Sequence, residues 1–264
     1  MSELQKLRII VGYEFLKHIR RKRLWVILGL TLITELAVII ILPLLMDGFP
    51  DNVTVMAAIL TVGPSLATIG AVFFAGDSIA GEFESKTGFM LFTNPVKRTT
   101  FIIGKYLACY VAVAALIVFG YVIMCITLMV IYGEIPPETA QSFGLALLFG
   151  GSVLSVTFLA SSLSKGSMGA TVFTLVFIMV ISGIIDGVLM MAGEPHWFMI
   201  STNGDAIATV YGGYDLFMEG MVPHDMPFGL PETPDIGLNV LSMCIYLVVG
   251  FTGSLFFSRR RQLS

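Results

Sequence analysis

Six membrane-crossing helices, preceded by a helix lying on the inner leaflet, are what this 264-residue chain predicts. Three observations carry that all-α integral membrane architecture. Hydrophobic residues make up 56% of the chain and charged residues only 12%, whereas a soluble domain is about one-quarter charged. The 15 Lys and Arg residues fall in separated blocks: seven up to Arg23, four from Lys86 to Lys105, then Lys165, then Arg259 to Arg261. Uncharged stretches long enough to cross a bilayer run between these blocks. Basic residues mark the inner side, so one consistent threading follows, with both termini inside and an outer re-entrant helical segment before the sixth span.

The whole chain, 1–264, reads as one transmembrane domain. Residues 1–23 form an interfacial helix and basic arm, with Leu4, Leu7, Val11, Phe15 and Ile19 on one helical stripe. That pattern suits an amphipathic helix on the inner leaflet, its basic end at anionic lipid headgroups. The first span covers 24–46 and the second 54–76, joined by an outer turn with Asp47, Pro50 and Asp51. At 1.5 Å per residue each span reaches about 35 Å, enough for a hydrocarbon core of about 30 Å. The apolar run after Arg23 is too long for a signal-peptide core and reads as an anchor.

Residues 77–105 form a long inner loop, and the third span covers 106–131. An acidic outer turn (Glu134, Pro136, Pro137, Glu138) leads to the fourth span, 140–163. The short inner turn Ser164–Met168, carrying Lys165, leads to the fifth, 169–190. Residues 191–235 form the outer loop; from Glu194 to Asp235 it holds seven acids, five prolines, two histidines and no Lys or Arg. Its apolar part, Trp197–Tyr214, is too short to cross and reads as re-entrant helix packed on protein, where broken backbone is tolerated at membrane depth. The sixth span covers 236–257, and Arg259–Arg261 stop it at the inner face. No internal repeat emerges.

Cys109, Cys125 and Cys244 lie within predicted spans, with neither disulfide nor metal-type spacing. No phosphate-binding P-loop pattern occurs, so any ATP used is expected on another chain. The inner loop carries the strongest signal. Glu82, Phe83, Glu84 and Lys86 alternate charge with apolar character ahead of Thr87, Phe89, Met90 and Phe92, and Pro95 then breaks the helix before Arg98. A short helix offering charges and apolar anchors to the cytosol is a docking element.

This loop resembles that of membrane subunits in the type-2 exporter class of ATP-binding cassette (ABC) transporters. The likeness rests on the acid-x-acid pair Glu82 and Glu84, the step Thr87-Gly88, the run Met90–Phe92, Pro95-Val96 with Arg98, and Gly104-Lys105 opening the third span. Asn94 departs from the small hydroxyl residue many relatives carry, and Ala160–Gly169 resembles the family's second inner turn. The resemblance implies a permease in the cell membrane, working as a homodimer in lipid with a separate ATP-binding subunit on each copy. ATP and Mg would belong to that subunit, with no cofactor, metal or catalytic residue in this chain. Glu82, Phe83, Glu84, Lys86, Thr87, Phe89, Met90, Phe92, Pro95 and Arg98 would form the ATPase-coupling helix and its flank.

Two acids stand inside spans and are candidates for the translocation path. Glu35 is mid-span, where a charge costs roughly 2.5–3.5 kcal/mol on insertion scales. It would need to keep its proton or take hydrogen bonds from Thr31, Thr34 or Thr61. Asp186 lies near the outer end of the fifth span, inside Gly183-x-x-x-Gly187, a close-packing pattern in membrane helices. Either acid would serve the alternative reading, an ion-coupled secondary transporter. An intramembrane enzyme is disfavoured, since Gly183-Ile-Ile-Asp186 lacks the Gly-x-Gly-Asp pattern of membrane aspartyl proteases. Met190, Met191, His196, Met199, Met218, Met221, His224 and Met226 are copper-compatible ligands. With fifteen methionines in the chain, chance explains their clustering, and no metal site is assigned.

Overall fold

The computed structural model describes residues 2–20, 22–46, 48–84, 97–164, 166–212 and 235–260. It is all-helical. In chain order the helices are α1 (Glu3–Arg20), α2 (Lys22–Leu45), α3 (Val53–Leu60), α4 (Val62–Ser65), α5 (Ala67–Ala75) and α6 (Ala80–Glu84). There follow α7 (Arg98–Ile131), α8 (Thr139–Leu163), α9 (Ser167–Ala192), α10 (Ile200–Thr209) and α11 (Ile236–Arg260). Among the described residues five helices are long and apolar enough to cross a membrane: α2, α7, α8, α9 and α11.

The segment expected as the second span is instead three short helices in succession, α3 to α5. The cause is local. Pro64 has no N–H to give the carbonyl of Leu60, and α3 closes at Thr61, whose N–H bonds the carbonyl of Ala58 at 3.2 Å. Hydroxyls cover part of the damage: Thr61 Oγ1 donates to Ala58 O at 2.6 Å and Ser65 Oγ to Thr61 O at 2.8 Å. The carboxamide of Asn52 starts α3 by accepting from the N–H of Thr54. Helix α9 contains a π turn at Phe177–Ile181 and ends on Gly193, whose φ of 69° is the left-handed cap that glycine tolerates.

Helix α8 is the axle of the fold, the most buried of the five spans, with α5, α7, α9, α10 and α11 packed around it. Its small residues explain why. A Cβ on Gly250 of α11 would stand 2.7 Å from the carbonyl carbon of Ser155, so the two helices meet backbone to backbone. The polar atoms of α8 are used across these contacts. Tyr106 Oη donates to Gly151 O at 3.1 Å, and Ser142 Oγ donates to Ile207 O of α10 at 2.8 Å. By contrast Gly183 and Gly187 have open space at their Cβ positions. The small-residue pattern at Gly183 and Gly187 makes no close approach among the described residues.

Within the segment expected to be re-entrant lies α10, a ten-residue helix whose Asn203 amide donates to Ser242 Oγ of α11 at 2.9 Å. Ten residues reach about 15 Å, half a hydrocarbon core.

Candidate coupling site at the basic end of the bundle

The root of the inner loop is held from several sides. After α5 the chain turns through Asp77–Ile79 into α6. Ser161 Oγ of α8 accepts the N–H groups of Ile79 and Ala80 at 3.2 and 3.1 Å and donates to Gly76 O at 2.8 Å. One buried hydroxyl thus satisfies three backbone groups that the helix break leaves open. Arg23 reaches Asp77 at 3.0 Å, tying α2 to the same turn.

Glu82 then points inward. Its Oε1 lies 2.8 Å from Nζ of Lys105 on α7, and the same ammonium lies 2.9 Å from Oε1 of Glu14 on α1. Lys105 is only 2% exposed. Lys17 stands 3.5 Å from both carboxylates, so two acids and two ammonium groups balance in charge. Charge-assisted bonds of this length are the strong kind. A buried charge survives only when paired in this way.

Glu84 takes a different partner. Its Oε2 accepts the backbone N–H of Ser167 at 2.9 Å and the Ser167 hydroxyl at 2.6 Å. That places a carboxylate at the first turn of α9, where unpaired N–H groups and the helix dipole favour negative charge. The hydroxyl and the N–H hold this carboxyl below its ordinary range. The loop root is therefore joined to α1 and α7 through Glu82, to α8 through Ser161 and to α9 through Glu84.

Of the residues expected to form the coupling element, Glu82 and Glu84 make these contacts and Phe83 lies between them in α6. Arg98 begins α7 and is exposed. Lys86, Thr87, Phe89, Met90, Phe92 and Pro95 lie outside the described residues. Glu14, Lys17 and Ser161 were not singled out from the sequence. The available signal was an acid and a histidine, Glu14 and His18, interrupting an apolar helix four residues apart on one face.

The two intramembrane acids are far apart in circumstance. Glu35 is 1% exposed, and neither carboxylate oxygen has a hydrogen-bond partner. Two of the three hydroxyls expected to serve it are turned elsewhere: Thr31 donates to Ile27 O at 3.0 Å and Thr61 to Ala58 O at 2.6 Å. Asp186 is satisfied by Thr202 Oγ1 of α10 at 2.8 Å. Near it, a cavity of about 370 Å³ lies between the broken second segment and α10, lined by Thr61, Ser65 and Asp205 among small apolar residues. Among the described residues no three His, Cys, Asp or Glu side chains converge as metal ligands.

A chain with five helices long and apolar enough to cross a bilayer is a multi-pass membrane protein. The profile of the ABC-2 family transporter protein matches residues 10–181, well over half of the chain. The chain belongs to that family, a membrane permease component of an ABC transporter. No curated protein matches it.

Proposed function

We propose that this chain is the membrane half of an ATP-driven exporter in the cell membrane, with both termini in the cytosol. Two copies face each other, and each is bound by a separate ATP-hydrolysing subunit at the loop 77–105. The observation that carries this reading is the rooting of that loop. Glu82, Glu84 and Ser161 connect it to α1, α7, α8 and α9, so force applied there reaches three spans and the N-terminal helix together. ATP-driven closure of the partner subunits then favours one of two packings of the bundle, a rigid-body switch. ATP and Mg act on the partner. This chain contributes mechanics and the path.

The test is purification of the tagged chain in mild detergent from its host, with co-eluting proteins identified by mass spectrometry. A stoichiometric soluble ATPase is expected. The chain alone, stable and active without one, overturns the reading in favour of an ion-coupled transporter. The orphaned carboxylate of Glu35 is the observation that favours this second reading. Threading is tested by cysteine labelling: Asp51→Cys and Asp215→Cys react from outside, Lys86→Cys and Lys165→Cys only after permeabilisation.

A further inference from the structure

Helix α1 meets α7 through a mixed face of apolar and ionisable side chains. It exposes Leu4 (78%) and Tyr13 (70%) and buries Glu14 and His18 against α7. Four levels of contact fasten the two helices. Thr100 Oγ1 donates to Glu3 at 3.0 Å, Gly104 lets Ile10 approach, Lys105 pairs with Glu14, and Cys109 Sγ lies 3.4 Å from His18 Nε2. A Cβ on Gly104 would stand 2.6 Å from Cγ2 of Ile10, so the approach requires glycine. A helix seated in this way, by Glu14 and His18 together with Leu7 and Ile10, still leaves Leu4, Ile9 and Tyr13 exposed, and such side chains suit the lipid of the inner leaflet.

Well-packed apolar side chains would hold α1 to α7 at no greater expense than a buried ionic cluster. What the ions add is a third arm. Lys105 binds Glu14 of α1 and Glu82 of the loop root through one ammonium, while its own backbone belongs to α7. We propose that Lys105 is a positioning residue for energy coupling: through Glu14 and Glu82 it holds the N-terminal helix, the loop root and the third span as one body. A push on the loop then carries α1 through the inner leaflet together with α7. The proposal rests on the ATP-driven reading above.

The test uses the full chain with its ATPase in lipid nanodiscs. Lys105→Met is expected to lower permease-dependent stimulation of ATP hydrolysis at least fivefold while the complex still co-elutes. A disulfide from Ile10→Cys and Gly104→Cys supplies the missing clamp. The Cβ positions are 3.1 Å apart, a few tenths short of the usual disulfide range of about 3.5–4.5 Å. In the otherwise native chain this disulfide leaves stimulation within twofold. In the Lys105→Met chain it restores at least half of the loss, and reductant reverses the rescue; a lesion of folding alone would not respond in this way. Full stimulation by Lys105→Met, or abolition by the disulfide in the native chain, overturns the proposal. If Lys105→Met does not assemble, Glu14→Gln is the milder variant: a partial loss rescued by the same disulfide supports the joint, and no loss overturns it.

If the native chain stimulates no ATPase, the functional reading falls, and the joint is read in the chain alone. Spin labels at Tyr13→Cys and Met168→Cys, both exposed sites, then report on α1 against the start of α9. Lys105→Met broadens that distance distribution; an unchanged distribution overturns the joint itself.

Discussion

The basic end of the bundle and its middle treat buried charge in opposite ways. At the basic end Lys105 is buried with two carboxylates within 3 Å, and Glu84 is spent on the first turn of α9. In the middle Glu35 is as deeply buried yet has no partner, and near α10 Asn203 Oδ1 and both side-chain polar atoms of Asn239 are likewise unpaired. A satisfied cluster fixes geometry, because each charge is tolerated only while the others stay in place. An orphaned group opposes folding wherever it stands. The first region is held in place by its own pairing, and the second carries a cost that packing has not relieved.

This contrast breaks most sharply at Lys105. Lys105→Met takes from Glu14 and Glu82 the ammonium that lies within 3 Å of both, leaving Lys17 at 3.5 Å, and is expected to destabilise the chain by about 3–5 kcal/mol, read as a lower melting temperature by detergent size-exclusion thermostability. The triple variant Glu14→Leu, Glu82→Leu, Lys105→Met removes both acids and the buried ammonium, leaving only the half-buried Lys17, and is less destabilised than the single one. The two effects are non-additive because the groups share partners. If the triple variant is the worse of the two, Lys105 acts by packing.

Glu35→Leu is expected to move the other way, stabilising by about 1–3 kcal/mol, the cost of an unsatisfied buried polar group. A loss of stability would reveal a partner for Glu35 in the assembled transporter. A glycine pair sharpens the packing side of the comparison. Gly250→Ala sets a Cβ against the backbone of Ser155, which cannot yield, and is expected to cost about 1–3 kcal/mol. Gly183→Ala meets nothing within 4 Å and stays within about 0.5 kcal/mol of the parent.

The smallest effect belongs to Glu84, exposed and paired with Ser167. Its carboxyl is held low, so its contribution is present at neutral pH and lost as pH falls through that depressed value. The melting temperatures of the parent and Glu84→Gln should differ slightly at pH 7 and converge in acid. A gap that persists in acid would mean that Ser167 does not depend on the charge.

Much of the plan was legible in the residues. Long apolar runs bounded by Lys and Arg located α2, α7, α8, α9 and α11, because a bilayer imposes length and charge rules on the chain itself. Acid-x-acid at Glu82 and Glu84 drew attention to the loop root, where both carboxylates reach other helices. What the two acids touch was not legible, since Lys105 stands 23 residues from Glu82 and Ser167 stands 83 residues from Glu84 in sequence. The break in the second segment was half-legible. Pro64 was visible, but a proline inside a span is tolerated as often as it disrupts, and the neighbouring helices decide.

The sequence by itself therefore determined the membrane class and the helical content, and its motifs from Glu82 to Lys105 carried the resemblance to the family. The first two follow from composition and one-dimensional order, which solvent and lipid read directly. Only the tertiary structure decided that α1 turns its charges inward, that the close approaches fall at Gly104 and Gly250 rather than at Gly183, and that Glu35 stands alone while Lys105 does not. Those outcomes depend on which helix faces meet, and side-chain pairing across helices is set by three-dimensional packing that no local pattern encodes.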